Sequence, residues 1–273
     1  MTTDRGDYLL GTHDEELRRL GLQHHVWRAR VLDAWRRAGV RAGSTVIDAG
    51  AGPGWATADL AESVGPNGRV WALERSDRYI DVLSERARVL GHDQITPVQI
   101  DLAADALPVS EADVLWMRWV LCFLAEPARV LAKLAQALRP GGVAVLHEYV
   151  HWETHALYPG PKPAYARFVQ LTLEDWRASG GEPNVGRDLP RWCEDAGLRV
   201  REVRALGEIV RPSEVMWNWP AGFARSHARH LVAGGKADAD WAGALNAELD
   251  AAERDPASMI VTPYLMEVIA ERA

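Results

Sequence analysis

Cysteine and long apolar runs are scarce in this chain of 273 residues, which holds only Cys122 and Cys193. Two thiols outside any C-x-x-C pair exclude a disulfide framework and a four-cysteine zinc site, and we interpret both as small buried side chains. No apolar run reaches the ~18 residues that a membrane-spanning helix needs. The first residues carry Asp4, Arg5 and Asp7 in place of the apolar core of a secretory signal. We therefore expect a cytoplasmic protein with no membrane partner.

Positive charge is also in short supply, because 31 lysines and arginines face 38 acidic residues and leave a net charge of -7. That sign is unfavourable for a surface that must neutralise phosphates, so nucleic acid is not an expected partner. The chain also lacks internal repeats and Gly/Ser-rich linkers, and its 48% hydrophobic and 25% charged residues are ordinary for a folded protein. We expect one folded domain over 1–273, present as a monomer or a homodimer.

What the chain has instead is an alternation of short β-branched runs with amphipathic segments. Such alternation is typical of a parallel sheet covered by helices. The predicted strands are 45–49, 69–74, 95–100, 112–116, 143–148, 198–210 and a final segment over 259–271. They predict an α/β fold with a doubly wound, mostly parallel, seven-stranded, Rossmann-like sheet that carries helical lid insertions.

A glycine-rich turn, DAGAGPG over residues 48–54, follows the first predicted strand directly. Its glycines stand where the backbone must turn sharply and approach a ligand closely, and a helix is predicted to begin at residue 55. This arrangement indicates a nucleotide-type cofactor, with Asp48, Gly50, Ala51 and Gly52 as its contacts. The third glycine of a dinucleotide fingerprint would fall at position 55, where Trp55 stands instead.

Carboxylates end the next two predicted strands. Glu74 ends the second strand, where it can accept hydrogen bonds from both ribose hydroxyls of a nucleoside, and Arg75 follows it. Asp101 ends the third strand, where its carboxylate can meet an adenine amine while the backbone N–H of Leu102 meets a ring nitrogen. Because the carboxyl ends of parallel strands share one edge of the sheet, we expect these residues and the glycine turn to form one cofactor site.

The stretch 45–148 resembles a class I S-adenosylmethionine-dependent methyltransferase. The segment VIDAGAGPG (46–54) matches the first motif of that family, Glu74 its ribose acid, Asp101 its adenine-side acid, and LRPGG (138–142) its turn before the fifth strand. The segment around Tyr8 resembles a small-molecule branch. The resemblance implies S-adenosylmethionine as the cofactor. It also assigns Arg118, just after the fourth strand, to the methionine carboxylate, which a guanidinium can hold in a bidentate fork.

The resemblance implies methyl transfer to a small-molecule acceptor, aromatic secondary metabolites included, and the sequence leaves the methylated oxygen, nitrogen or carbon atom open. A sulfonium already carries a good leaving group, so the protein mainly has to hold the reactants in line and exclude water, and no metal is expected. We expect the acceptor to contact Tyr8, Tyr149, Trp152 and Trp217.

An acceptor O–H or N–H must also lose its proton near the methyl group. Histidine is the side chain whose pKa lies closest to neutrality, and three histidines cluster after the fifth predicted strand. We predict His147 as the general base, with His151 as the second candidate and His155 as the third member of the cluster.

The segments outside the core are expected to build the rest of the site. Residues 1–40 form a helical cover and 41–148 form the cofactor-binding core, whereas 149–196 and 211–256 are insertions that shape the acceptor site. A helical segment is predicted over 213–253. Long insertions in a compact domain usually carry function, which supports this division.

Two other interpretations stay open. A nucleotide-dependent oxidoreductase would also use the glycine turn and Glu74, although the third glycine of its fingerprint is missing here. A non-catalytic binding protein on the same fold would be expected to lose the turn or the ribose acid, and this sequence keeps both.

Overall fold

The computed structural model describes residues 14–273. Its strands, numbered in chain order, are β1 (Thr45–Ala49), β2 (Arg69–Glu74), β3 (Ile95–Gln99), β4 (Ala112–Arg118), β5 (Leu138–His151), β6 (Ala156–Tyr158), β7 (Leu198–Leu206), β8 (Ile209–Val210), β9 (Met259–Val261) and β10 (Tyr264–Arg272). Its helices are α1 (Asp14–Ala38), α2 (Trp55–Val64), α3 (Asp77–Leu90), α4 (Pro127–Ala135), α5 (Pro163–Ala178), α6 (Leu189–Asp195), α7 (Asn218–Ala233) and α8 (Ala239–Arg254).

The central sheet has seven strands in the order β3-β2-β1-β4-β5-β10-β7. Strands β1 to β5 pair in parallel, and β10 runs antiparallel between β5 and β7. The predicted doubly wound, mostly parallel seven-stranded sheet is thus confirmed. The carboxyl ends of β1, β2, β3 and β4 meet at one edge, which is where open α/β sheets bind ligands.

Local sequence explains where the core helices begin and end. The residue before α2 is Gly54, whose φ of 81° lies in the left-handed region, so the chain can turn from β1 into the helix without strain. The Ser76 hydroxyl accepts a hydrogen bond from the N–H of Tyr79 and caps α3. Pro127 opens α4, where its fixed φ suits the first turn and its missing N–H costs nothing.

Helix α1 packs along the sheet and extends over its carboxyl edge. Trp27, Val31 and Trp35 on its inner face are at most 1% exposed, and Trp35 meets Trp116 of β4 edge-on at 5.3 Å. Turns nearer the N-terminus of α1 reach the ligand-binding edge. Tyr8, one of the predicted acceptor contacts, lies outside the described residues.

The regions after β5 and β7 differ from the predicted elements. The segment predicted as one helical stretch over 213–253 divides into α7 and α8, because Gly234 and Gly235 end the first helix and Gly235 adopts a φ of 69°. The predicted strand over 198–210 divides into β7 and β8, and 259–271 into β9 and β10. Strands β6, β9 and β8 form a small second sheet that the sequence analysis missed, since runs of two or three residues carry no readable alternation.

A buried ionic group ties α1 to strands β5 and β10 of the large sheet. The Glu267 side chain on β10 is 1% exposed and accepts from Arg37 of α1 and, at 2.9 Å, interacts with Nε2 of His147 on β5. Burial acts to raise the pKa of Glu267, but its partners His147 and Arg37 outweigh burial and hold that pKa below its ordinary value. Glu267 therefore stays ionised in the core.

Among residues 14–273, no helix is both long and apolar enough to cross a membrane.

Candidate active site

A cavity lies at the carboxyl ends of β1 to β4, bordered by α1. The structure brings together there all the residues that the sequence assigns to the cofactor: Asp48, Gly50, Ala51, Gly52, Glu74, Arg75, Asp101, Leu102 and Arg118. Leu20, Gln23 and His24 of α1 complete part of its wall. We name this space the first cavity.

The glycine turn passes close to its neighbours. The N–H groups of Gly50 and Ala51 donate to the Leu73 carbonyl at 2.8 and 3.0 Å, which fixes the turn against β2. A Cβ on Gly50 would lie 2.4 Å from Cγ2 of Val120, and the φ of Gly50 is 72°. A side chain at this position would therefore push the turn away from the loop after β4.

The carboxylate of Glu74 faces the glycine turn from the end of β2. Its Oε2 accepts from the N–H of Gly52 at 2.9 Å, and its Oε1 accepts from the N–H groups of Arg75 and Ser76 at 2.8 Å. Burial raises the pKa of Glu74 although these three donors oppose the shift. The carboxylate is thus held rigidly at the cavity wall, with the remaining lone pair of Oε2 available to a ligand.

Arg118 and Asp48 both line the first cavity, and no direct hydrogen bond joins their side chains among the described residues. Asp48 is 2% exposed and accepts from the hydroxyl of Thr57 at 2.7 Å, and burial raises its pKa to about 7. Burial lowers the pKa of Arg118 to about 10, so its guanidinium stays charged at neutral pH. The Nη2 of Arg118 lies 3.3 Å from Nδ1 of His24, and its buried Nη1 has no partner within residues 14–273.

A second, smaller cavity adjoins the first, about 50 Å³ against about 180 Å³. The two cavities share four lining residues, Leu20, Gln23, Trp119 and Phe123. Aromatic side chains dominate the wall of this second cavity: Trp119, Phe123, Tyr149, Trp152, Trp176, Trp219 and Phe223. They come from the loop after β4, from the end of β5, and from the two regions predicted as insertions.

Trp119 stands at the boundary between the cavities in a backbone conformation that is unusual for its residue type. Its φ is 53°, a left-handed value that costs a bulky residue strain and is found most often at functional sites. Its ring stacks on Tyr149 at 5.3 Å and on Trp219 at 5.7 Å, and its backbone N–H donates to the His147 carbonyl. Packing on both faces of the ring thus fixes Trp119 at the boundary between the two cavities.

The Glu148 side chain on β5 anchors the loop that carries Trp119. Its Oε1 accepts from the N–H groups of Val120 and Leu121 at 2.8 and 2.7 Å, and its side chain is fully buried. Burial raises the pKa of Glu148 to about 7. Glu148 therefore positions the loop after β4, which contributes residues to both cavities.

Two buried histidines lie on the wall of the second cavity. The Nε2 of His155 lies 2.7 Å from the Tyr165 hydroxyl, and burial lowers the pKa of His155 to about 3. His227 on α7 is 2% exposed, its Nε2 lies 3.5 Å from Oδ2 of Asp175, and burial lowers its pKa to about 4. Both rings are therefore neutral at pH 7.

The structure does not support the predicted general bases. His147 is fully buried, is paired with Glu267, packs edge-on against Trp116, and lines neither cavity. His147 pairs in register with Arg118 at the end of β4, so it is level with the ligand edge, but its side chain lies on the face that Glu267 and Arg37 of α1 cover. His151 is largely exposed beside Glu153 and also lies outside both cavities.

The predicted acceptor contacts divide in the same way. Tyr149 and Trp152 line the second cavity. Trp217 lines neither cavity, because its buried ring donates through Nε1 to Glu253 at 3.1 Å and belongs to the packing between α7 and α8.

The sequence analysis named His155 in the histidine cluster, and the structure places it on the wall of the second cavity. Among the wall residues that the sequence did not assign to the acceptor are Gln23, Trp119, Trp176, Trp219, Phe223 and His227. Trp119 adjoins Arg118 at the end of β4, so its position offered a signal. The others come from helices and loops whose approach to the sheet depends on long-range packing.

Comparison with known proteins finds similarity over the part of the chain that forms the first cavity. A family model described as a methyltransferase domain matches residues 46–142. A demethylmenaquinone methyltransferase of Lactococcus lactis subsp. lactis is 30% identical over 195 residues, which span 69% of this chain and 71% of the relative.

The chain belongs to the S-adenosylmethionine-dependent methyltransferases.

Other matches agree with this family over parts of their length. An uncharacterized 37.1 kDa protein of a Streptomyces fradiae transposon is 29% identical over 212 residues, 76% of this chain and 57% of that protein. The solved structure of geranyl diphosphate methyltransferase with GPP and sinefungin has a TM-score of 0.56 at 18% identity, covering 92% of this chain and 79% of that one. At that identity the likeness shows the fold alone.

The residues of the first cavity fit S-adenosylmethionine. Glu74 offers a rigid carboxylate to ribose hydroxyls, and the glycine turn lets the backbone approach the ligand closely. The buried Nη1 of Arg118, without a partner among the described residues, suits the carboxylate of the methionine end. Asp48 lies near enough to Arg118 to act against the lowering of the Arg118 pKa, and its carboxylate offers an acceptor for the ammonium group of the ligand.

Arg118→Ala is expected to weaken binding of S-adenosylmethionine about tenfold, since one charged hydrogen bond contributes roughly 1.5 kcal/mol. Only one nitrogen is counted because Nη2 is already engaged by His24. Calorimetry with the demethylated product checks this, and Arg129→Ala on the exposed side of α4 serves as the matched control. An unchanged affinity in the Arg118 variant would remove this residue from the cofactor site.

His155 is expected to make the protein less stable as the pH falls. The unfolded chain takes up a proton near pH 6.5, whereas burial keeps the pKa of folded His155 at about 3, so acid favours the unfolded state. Between pH 7 and pH 5 the wild type should lose about 2 kcal/mol more than His155→Phe, at ~1.36 kcal/mol per pH unit below pH 6.5. Urea unfolding of both proteins at the two pH values measures the difference, and parallel losses would contradict it.

Proposed function

We propose that this methyltransferase transfers the methyl group of S-adenosylmethionine to a small-molecule acceptor that occupies the second cavity. The observation that carries the proposal is the shared wall: the two cavities meet at Leu20, Gln23, Trp119 and Phe123. A methyl group presented from the first cavity at this wall has the second cavity directly before it.

The lining of the second cavity supports an acceptor with a flat apolar body. Trp152 meets Tyr149 edge-on at 4.8 Å, Trp176 at 5.6 Å and Phe223 at 5.8 Å, so the wall is a continuous aromatic cluster. Such walls bind planar apolar groups and exclude water. The regions 149–196 and 211–256 thereby act as acceptor-site insertions, and 14–38 acts as the cover of both cavities.

The chemistry asked of the protein is modest. When bound, S-adenosylmethionine supplies a methyl group on a sulfonium that leaves readily. The chain's own residues hold the cofactor at Glu74 and Arg118, hold the acceptor between aromatic rings, and keep water from the space between them. Alignment of two reactants in this way accounts for a large part of a rate enhancement.

The relatives support an acceptor of small size. One is named for demethylmenaquinone and the solved structure for geranyl diphosphate. The proposal includes no nucleic-acid partner, in keeping with the net charge of -7, and no membrane partner, and it allows a monomer or a homodimer.

The proposal is tested by narrowing or opening the second cavity without touching the first. Trp152→Leu removes an aromatic wall that only the second cavity has, so the KM for an acceptor found by screening should rise about tenfold. The cofactor Kd should stay unchanged. Trp192→Leu on α6, which lines neither cavity, is the control. A raised cofactor Kd with an unchanged acceptor KM would place the acceptor elsewhere.

A further inference from the structure

The second cavity contains histidine nitrogens that the protein itself leaves without hydrogen bonds. Nδ1 of His227 and Nδ1 of His155 are buried and have no hydrogen-bond partner in the part of the chain that the structure describes, whereas Nε2 of His227 lies 3.5 Å from Oδ2 of Asp175. The two side chains are 2% and 3% exposed. An unpaired buried polar atom costs roughly 1–3 kcal/mol, so a wall that keeps two of them points to a ligand that pairs with them.

The charges around this cavity favour a neutral ligand. Among the described lining residues Arg19 is the only permanently charged side chain, and Glu16 pairs with it at 2.6 Å. Asp175 is not part of the lining: its Oδ1 pairs with Lys236, and its Oδ2 lies 3.5 Å from Nε2 of His227. Because burial lowers the pKa of both cavity histidines, they are neutral at pH 7 and attract neither sign of charge.

A neutral imidazole presents one donor and one acceptor nitrogen. A hydroxyl group both donates and accepts, so it satisfies such nitrogens in either tautomer. An ammonium group can bind aromatic faces, but it would find no carboxylate on the described lining and would share the cavity with Arg19. A hydroxyl therefore fits the polar part of this wall better than a cationic amine does.

We propose that the acceptor is a neutral, flat ring compound bearing a hydroxyl, and that His227 and His155 hydrogen-bond this hydroxyl. The inference rests on the proposed function, because it takes the second cavity as the acceptor site. It goes further by naming the substrate class and two side chains that recognise it.

The experiment uses three probes that share one aromatic body. Binding of 2-naphthol, 2-methoxynaphthalene and (2-naphthyl)trimethylammonium is followed by tryptophan fluorescence, with the demethylated cofactor at saturation. Wild-type protein is expected to bind 2-naphthol about five- to tenfold more tightly than 2-methoxynaphthalene, as one to two hydrogen bonds allow, and the ammonium probe most weakly.

The variants assign this preference to the histidines. In His227→Phe and His155→Phe the ratio of the two neutral probes should fall, to about one when both are replaced, while His151→Phe, outside the cavity, keeps the wild-type ratio. The 2-methoxynaphthalene affinity within each variant shows that the cavity still folds. Where a phenylalanine variant binds neither probe, the asparagine variant at that position is measured, and its ratio should lie between wild type and one.

Four results would overturn the inference: no binding of either neutral probe, equal affinities in wild type, an unchanged ratio in both histidine variants, or tightest binding of the ammonium probe. Calorimetry with the demethylated cofactor alone separates these from a failure of the proposed function. Loss of cofactor binding contradicts the proposed function, whereas normal cofactor binding without a hydroxyl preference contradicts only the assignment of the acceptor class.

Discussion

Glu74→Ala is expected to weaken binding of S-adenosylmethionine by roughly 10- to 150-fold, the equivalent of about 1.5–3 kcal/mol for hydrogen bonds to a charged group. The variant removes the carboxylate that faces the ribose. It also removes the acceptor that the N–H groups of Gly52, Arg75 and Ser76 share, so the glycine turn loses its fixed position. Both effects act on cofactor affinity in the same direction.

Calorimetry of the demethylated product with wild type and variant measures this loss. Glu74→Gln keeps an acceptor oxygen without the charge and should fall between the two. Glu85→Ala, an exposed carboxylate on α3, should bind as wild type does. Equal affinities for the wild type and the Glu74→Ala protein would contradict the assignment of the cofactor site.

Glu267→Ala is expected to lower the free energy of unfolding by about 1–3 kcal/mol, because it leaves the buried His147 without its hydrogen-bond partner and Arg37 with one carboxylate fewer. The Arg37 side chain is 12% exposed, and its guanidinium would keep ion pairs only with Asp33 and Glu202. His147 would lose its hydrogen bond to Glu267 inside the sheet. The effect is structural and should leave the residues of both cavities in place.

Urea unfolding at pH 7 tests this expectation. The matched control is Glu271→Ala on the same strand, whose partially exposed carboxylate pairs with Arg199 and Arg201 and should contribute at most about 1 kcal/mol. Because the pKa of Glu267 is held below its ordinary value, its ion pairs also contribute stability above the unfolded pKa of about 4.3 that is lost at lower pH. Equal unfolding free energies for wild type and Glu267→Ala would show that the ionic group does not support the fold.

The core of the fold could be predicted because its signals are local. The strands 45–49 and 69–74 match β1 and β2 residue for residue, since short buried runs between a glycine turn and polar residues have clear limits. The helices and strands after residue 198 could not be delimited correctly from the sequence. There, the helical pattern over 213–253 runs through the Gly234–Gly235 break, and the small sheet depends on contacts between segments about 100 residues apart for β6 and β9 and about 50 apart for β8 and β9.

The two cavities likewise differ in how far the sequence could predict their lining residues. The lining of the first cavity follows strand ends, so the sequence could place Glu74, Asp101 and the glycine turn at one edge of the sheet, and all of them line that cavity. The second cavity is built from α1, α5 and α7, whose approach to β5 is set by packing of the whole molecule. His147 shows the limit, because alternation predicts its face of the strand but not that Glu267 and α1 cover that face.

The most direct test of the account is a crystal structure of the protein with its demethylated cofactor bound. The account predicts the ribose hydroxyls within hydrogen-bond distance of Glu74, the carboxylate of the ligand at Arg118, and its sulfur facing Trp119 at the wall that the two cavities share. A cofactor bound in the second cavity, or one whose sulfur points away from that cavity, would contradict it.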